Sequence, residues 1–151
     1  MTKAATADLA LRGAATDTVI EMFRARAFAW KECHCIHLAR AQGIAMGHDL
    51  PAVPSFNSAQ GARVALKKMG VASVAELLDI WFERHPAPAF ARIGDLLTLP
   101  GETELGRRDD ALAGVGIADG MGNIFGWHAS DPSRLSAVTA AQAHFVAAWK
   151  L

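Results

Sequence analysis

Apolar residues follow two different rhythms along this chain. Up to about residue 85 they recur three and four positions apart, the spacing of one helical face. Beyond it they come in short runs bounded by Gly, Pro or Asp, the pattern of strands joined by tight turns. In the first half, Thr18 to Glu21 has the form of a capping box. The apolar Val19, Ile20, Met22 and Phe23 predict a helix from there to about Arg26. A second helix is expected from about Cys35 to Gly43, burying Ile36, Leu38 and Ala39. HDLPAVPSFNS reads as a loop because of its prolines. Ser58 caps a third helix with Ala62, Ala65, Leu66 and Met69 inward and Gly70 as its stop. Ser73 to Glu76 is another capping box, opening a fourth helix with Val74, Leu77, Leu78 and Trp81 on its inner face, and HPAPA ends that helix.

In the second half, GDLLTLP, LAGVGIADG and GNIFGWHA read as strands. ETELGRRDDA is a polar loop, and ADGMGN a hairpin turn whose glycines permit positive φ. The tail TAAQAHFVAAWKL is open to two readings, a helical turn or an edge strand at FVAAWKL. Helices first and an antiparallel sheet after them make an α+β arrangement.

Composition narrows the function classes. A chain of 151 residues, 52% hydrophobic, is enough for one domain with its own core, so stability requires neither disulfide nor metal. Lys plus Arg equals Asp plus Glu at 15 each, which removes the general electrostatic reason to expect nucleic-acid binding. The short pairs Lys67-Lys68 and Arg107-Arg108 read as solvated positions. No stretch approaches the ~20 apolar residues of a membrane span. Asp8 and Arg12 interrupt the start where a secretory signal would be apolar. Residues 1–16 are therefore expected to be a flexible arm, or an arm held by a partner, and residues 17–151 the domain.

Cys33 and Cys35 are the two cysteines, too close in sequence for a relaxed disulfide. Cys35 is the sharpest candidate for chemistry. A thiolate is the nucleophilic form of cysteine, and a helix N-terminus favours it through unpaired N–H groups. The alternative is a small buried hydrophobe, the usual state of a free cysteine. Cys33, His34, Cys35 and His37 are all ligand types, but Cys-x-Cys-x-His lacks the spacing of a zinc site, so no metal or other cofactor is expected. His48 and Asp49 read as loop residues and His85 as a helix C-terminal residue. Trp81, Trp127 and Trp149 read as core.

FAWKECHC resembles the pattern F-x-W-G-x-x-D-C of a family from bacteriophages, prophages and gene-transfer-agent-like clusters. That family is related to the NlpC-type cell-wall peptidases of papain-like fold. SFNSAQGARVALKKMG is similar to its next segment at Gly61, Arg63, Leu66 and Gly70. IGDLLTLP is similar to its GD strand at Gly94 and Asp95, LAGVGIADG to its glycine-rich strand, and AAWKL to its terminal motif. The resemblance spans residues 17 to 151. It implies a papain-like α+β fold in which N-terminal helices pack on a small antiparallel sheet, with Cys35 at the nucleophile position.

The peptidases also carry a base His on the second strand, and that position is Gly114 here. Glycine cannot act as a base. His34 stands where the family has Asp, and Lys31 where it has Gly. His37 lies about 200° around the helix from Cys35 and points away. His34 and His128 remain as substitute bases, His128 because it ends the following strand. Three functions follow as expectations. The first is a structural component of a phage-type tail tip or hub on a degenerate peptidase fold, assembled in the bacterial cytoplasm and carried in the virion. The second is an active cysteine peptidase or amidase cutting peptidoglycan stem peptides during entry. The third is a transient tail-assembly accessory protein. The partners implied are tail hub or tip proteins and peptidoglycan.

Overall fold

Three of the four helices begin where a side chain can close them. α2 (Cys35–Ala45) is capped by His34. α3 (Ala59–Lys68) is capped by Ser58, whose Oγ accepts the Gly61 N–H at 3.0 Å. α4 (Val74–Trp81) is capped by Ser73, whose Oγ accepts the Glu76 N–H at 3.1 Å, while Glu76 accepts the Ala72 N–H at 2.7 Å. Each such cap contributes about 1 kcal/mol. These helices, in a computed structural model describing residues 3–101, 107–128, 131–139 and 144–151, follow the sequence reading closely.

The first helix does not. α1 (Lys3–Phe23) starts well before Thr18. Thr18 caps nothing; its hydroxyl donates to the Ala14 carbonyl one turn back at 2.9 Å, as threonine does inside a continuing helix. The expected boundary between residues 16 and 17 falls within this helix, and Arg12 and Thr16 on the expected arm are buried.

The strands are β1 (Glu83–Arg84), β2 (Leu96–Leu99), β3 (Gly114–Ala118), β4 (Asn123–His128), β5 (Asp131–Thr139) and β6 (Ala147–Lys150). They form one sheet in the order β1-β6-β2-β3-β4-β5 with every neighbouring pair antiparallel, so the fold is α+β. The hairpin at ADGMGN is present. Gly120 and Gly122 have φ of 79° and 88°, and Asp119 accepts the N–H groups of Met121 and Asn123 at 2.7 and 3.0 Å.

Two strand expectations need correction. β5 was not anticipated, because Pro132 and a run of exposed polar residues mask its alternation. β6 is a strand, as one reading of the tail had it, but it is paired on both sides by β1 and β2 rather than lying at the edge. Residues 102–106 of the expected polar loop and 140–143 of the tail lie outside the described residues.

The main core lies between the helices and one face of the sheet, with Ile36, Leu38, Leu66, Leu77, Leu78, Ile117 and Trp149 fully buried in it. Burying each of these Leu or Ile side chains contributes about 1.5–3 kcal/mol. A smaller cluster of Leu97, Ala118, Ile124 and Ala148 sits on the opposite sheet face. Trp149 ties the last strand to α4: its Nε1 donates to Asp79 at 2.9 Å, and Arg84, paired with Asp79, lies over its ring at 4.9 Å. Among the described residues no helix is long and apolar enough to cross a membrane.

Candidate functional site

Cys35 is the first residue of α2, and it packs against β3. Its position follows from His34, whose extended backbone (φ −97°, ψ 160°) turns the chain into the helix. The thiol is 6% exposed. Burial pushes its pKa up, and hydrogen bonds from the backbone N–H groups of Val115 and of Cys35 itself offset this only in part. Cys33, also free and buried, is raised chiefly by burial. Both residues are thiols at neutral pH, not nucleophilic thiolates.

The two histidines beside Cys35 are committed to the backbone. Nδ1 of His34 accepts the Ile36 N–H at 3.2 Å, and Nδ1 of His37 accepts the His34 N–H at 3.2 Å. Accepting at Nδ1 leaves the neutral ring's proton on Nε2, so neither ring keeps a free lone pair for a thiol proton. Burial, then the charge of His37, holds His34 down at about 3. His37 is also lowered, first by burial and then by Arg26. Aromatic rings wall the site. Trp30 stacks on His34 with centroids 4.9 Å apart, and Phe56 stacks on His37 at 5.3 Å. His34 is buried by this packing, and His37 is partly exposed.

Gly114, at the base position of the resemblance, and the substitute base His128 lie elsewhere. On β3, Val115 and Ile117 point into the main core, and side chains alternate along a strand. Gly114 therefore faces the other way, with its register partner Leu99; a Cβ built on it meets the Leu99 Cβ at 3.9 Å. On β4, Trp127 points into the core, where its Nε1 donates to the Arg26 carbonyl at 2.8 Å. His128, the next residue, follows a break in the β4–β5 register, and its Nε2 lies 3.1 Å from the Ser136 carbonyl. That contact requires Nε2 to carry the proton. Gly114 therefore brings no base to Cys35, and the His128 ring is held by the Ser136 carbonyl.

A second polar group was not foreseen from the sequence. Asp95, fully buried, accepts from Arg12 Nη2 at 2.7 Å, His85 Nε2 at 2.8 Å, the Arg92 N–H at 2.9 Å and the Leu151 N–H at 3.1 Å. Arg12 also donates to the carbonyls of Leu151 and Ile93. His85 is therefore a partner of Asp95 and not a helix C-terminal residue; α4 ends at Trp81 and β1 intervenes. This group joins α1, β1, β6 and the turn before β2. Its carboxylate is fully buried and taken up by these donors, so the group fastens segments together. Only the Gly94-Asp95 pair hinted at it; nothing in the local pattern singles out Arg12. Among the described residues no three His, Cys, Asp or Glu side chains are grouped to hold a metal ion.

A family model described as "Domain of unknown function (DUF6950)" matches residues 10–151. No curated protein matches the sequence.

Proposed function

The chain belongs to the DUF6950 family, and on that premise we propose that it is a structural component of a phage-type tail, at the tip or hub. In this reading it has a papain-like, NlpC-type frame without hydrolytic chemistry. The observation that carries the non-catalytic part is the surroundings of Cys35. Cys35 is buried, and Nδ1 of both His34 and His37 is already bonded to backbone. A cysteine hydrolase needs a base to make the thiolate and an acid to protonate the leaving amine, and neither His34 nor His37 has a free Nδ1 for the first role. The tail placement rests on the motif resemblance along residues 17–151. Hub or tip proteins are the partners, and the virion is the location.

A second reading, hydrolysis of peptidoglycan stem peptides, draws support from one observation: Cys35 stands at the first position of α2 against β3, where the resemblance puts a nucleophile. A third reading, a transient assembly factor, shares the inert Cys35 and differs only in whether the protein stays in the particle. The experiment is mass spectrometry and imaging of purified particles from a strain carrying this gene. The structural reading expects the chain at fixed stoichiometry in the tail. Its absence from particles, with presence in assembly intermediates, would leave the accessory role.

A further inference from the structure

A cleft of about 710 Å³ lies between α1 and the β3–β4 hairpin, separate from the Cys35 site. Its apolar lining includes Leu9, Ile20, Ile93 and Phe125. One rim is Met121, 83% exposed, more than any other large apolar residue described. The turn that carries Met121 is rigid. Asp119 accepts the N–H groups of Met121 and Asn123 and a proton of the Asn123 amide, and Gly120 packs so closely that a Cβ would sit 2.9 Å from the Ile93 Cβ. An apolar side chain held out on a rigid turn loses little freedom when it is buried by a partner.

The charges of the cleft are arranged in opposition. On the α1 wall, Arg24 is bonded to Glu21 at 2.8 Å, which leaves Asp17. On the other wall, Asp119 is occupied by its own turn, which leaves Arg92. Among the described residues, neither the Asp17 nor the Arg92 side chain has a hydrogen bond or ion pair. In a two-fold dimer each wall would face the opposite wall of a copy, so that Asp17 would meet the copy's Arg92 and Arg92 the copy's Asp17, with Met121 of each chain directed at the apolar lining of the other.

We propose that this cleft is a self-association surface in which a second copy of the chain inserts its Met121. The test is sedimentation of the full chain from about 1 μM to 1 mM, a range that spans weak to moderate dimers. The wild type shows a concentration-dependent dimer. Met121→Lys weakens it at least about tenfold, as loss of a central anchor does. Asp17→Arg or Arg92→Asp alone alters both symmetry-related pairs and weakens it about tenfold, about threefold for each exposed ion pair, and the two together restore it. All three residues are exposed, and circular dichroism with thermal melts checks that each variant is folded. A wild type that stays monomeric throughout overturns the proposal. So does a dimer indifferent to Met121→Lys, or a double charge reversal no better than the singles. If the monomer instead binds another tail protein through Met121, the cleft serves a different partner and self-association is refuted.

Discussion

The backbone N–H of His34 donates to Nδ1 of His37 at 3.2 Å, across Cys35 and Ile36, so the imidazole nearest along the helix to Cys35's turn is spent on the backbone. With His34 Nδ1 accepting the Ile36 N–H in turn, the first turn of α2 uses both imidazoles as caps. Cys35 is the first residue of that turn, and neither His34 nor His37 has Nδ1 free beside it.

An inert, buried thiol reacts slowly. Iodoacetamide at pH 7.5 is expected to label Cys33 and Cys35 only through unfolding, because both are buried and raised in pKa by burial. Labelling followed by mass spectrometry in increasing urea checks this. The rate should climb with the unfolded fraction; fast labelling of Cys35 alone in native buffer would mark it as activated.

His34 makes stability depend on pH. Its folded pKa, about 3, lies below the ordinary value of 6.5, so the unfolded chain binds a proton that the folded chain refuses. Stability from this residue is full above pH 6.5 and falls as the pH drops toward 3, by up to about 1.4 kcal/mol per unit. His34→Asn keeps a capping oxygen without the titrating ring. Urea midpoints at pH 4 to 7 should fall less steeply for His34→Asn than for the wild type.

Arg12 should matter more than its place in an alanine-rich helix implies. Arg12→Ala takes the guanidinium away from the buried Asp95, a loss of about 3–5 kcal/mol. Thermal unfolding measures it. Replacing an exposed arginine of comparable length, such as Arg134, serves as the control and should change stability by no more than about 0.5 kcal/mol.

Local chemistry made much of the first half legible. Ser58, Ser73 and Glu76 mark helix starts because caps act over three or four residues, and the structure has those bonds. Thr18 and Glu21 have the same spacing and mislead, because what sustains α1 before them is tertiary: Arg12 on Asp95 and Thr16 with Gln42. β5 escaped notice for a similar reason. Its exposed residues follow no apolar alternation, and its pairing with β4 is set by the hairpin order. At the candidate site, the placement of Cys35 at a helix start could be read from the sequence. The use of His34 and His37 could not, since it depends on which ring nitrogen meets which N–H.

The most direct test of a non-catalytic Cys35 is hydrolysis of purified peptidoglycan and its stem peptides, followed by mass spectrometry, with wild type and Cys35→Ala side by side. Gly114→His is a useful third sample, because its Cβ has room beside Leu99 yet faces away from the thiol. The account predicts that all three proteins match the buffer blank. Turnover by the wild type that Cys35→Ala abolishes would contradict it.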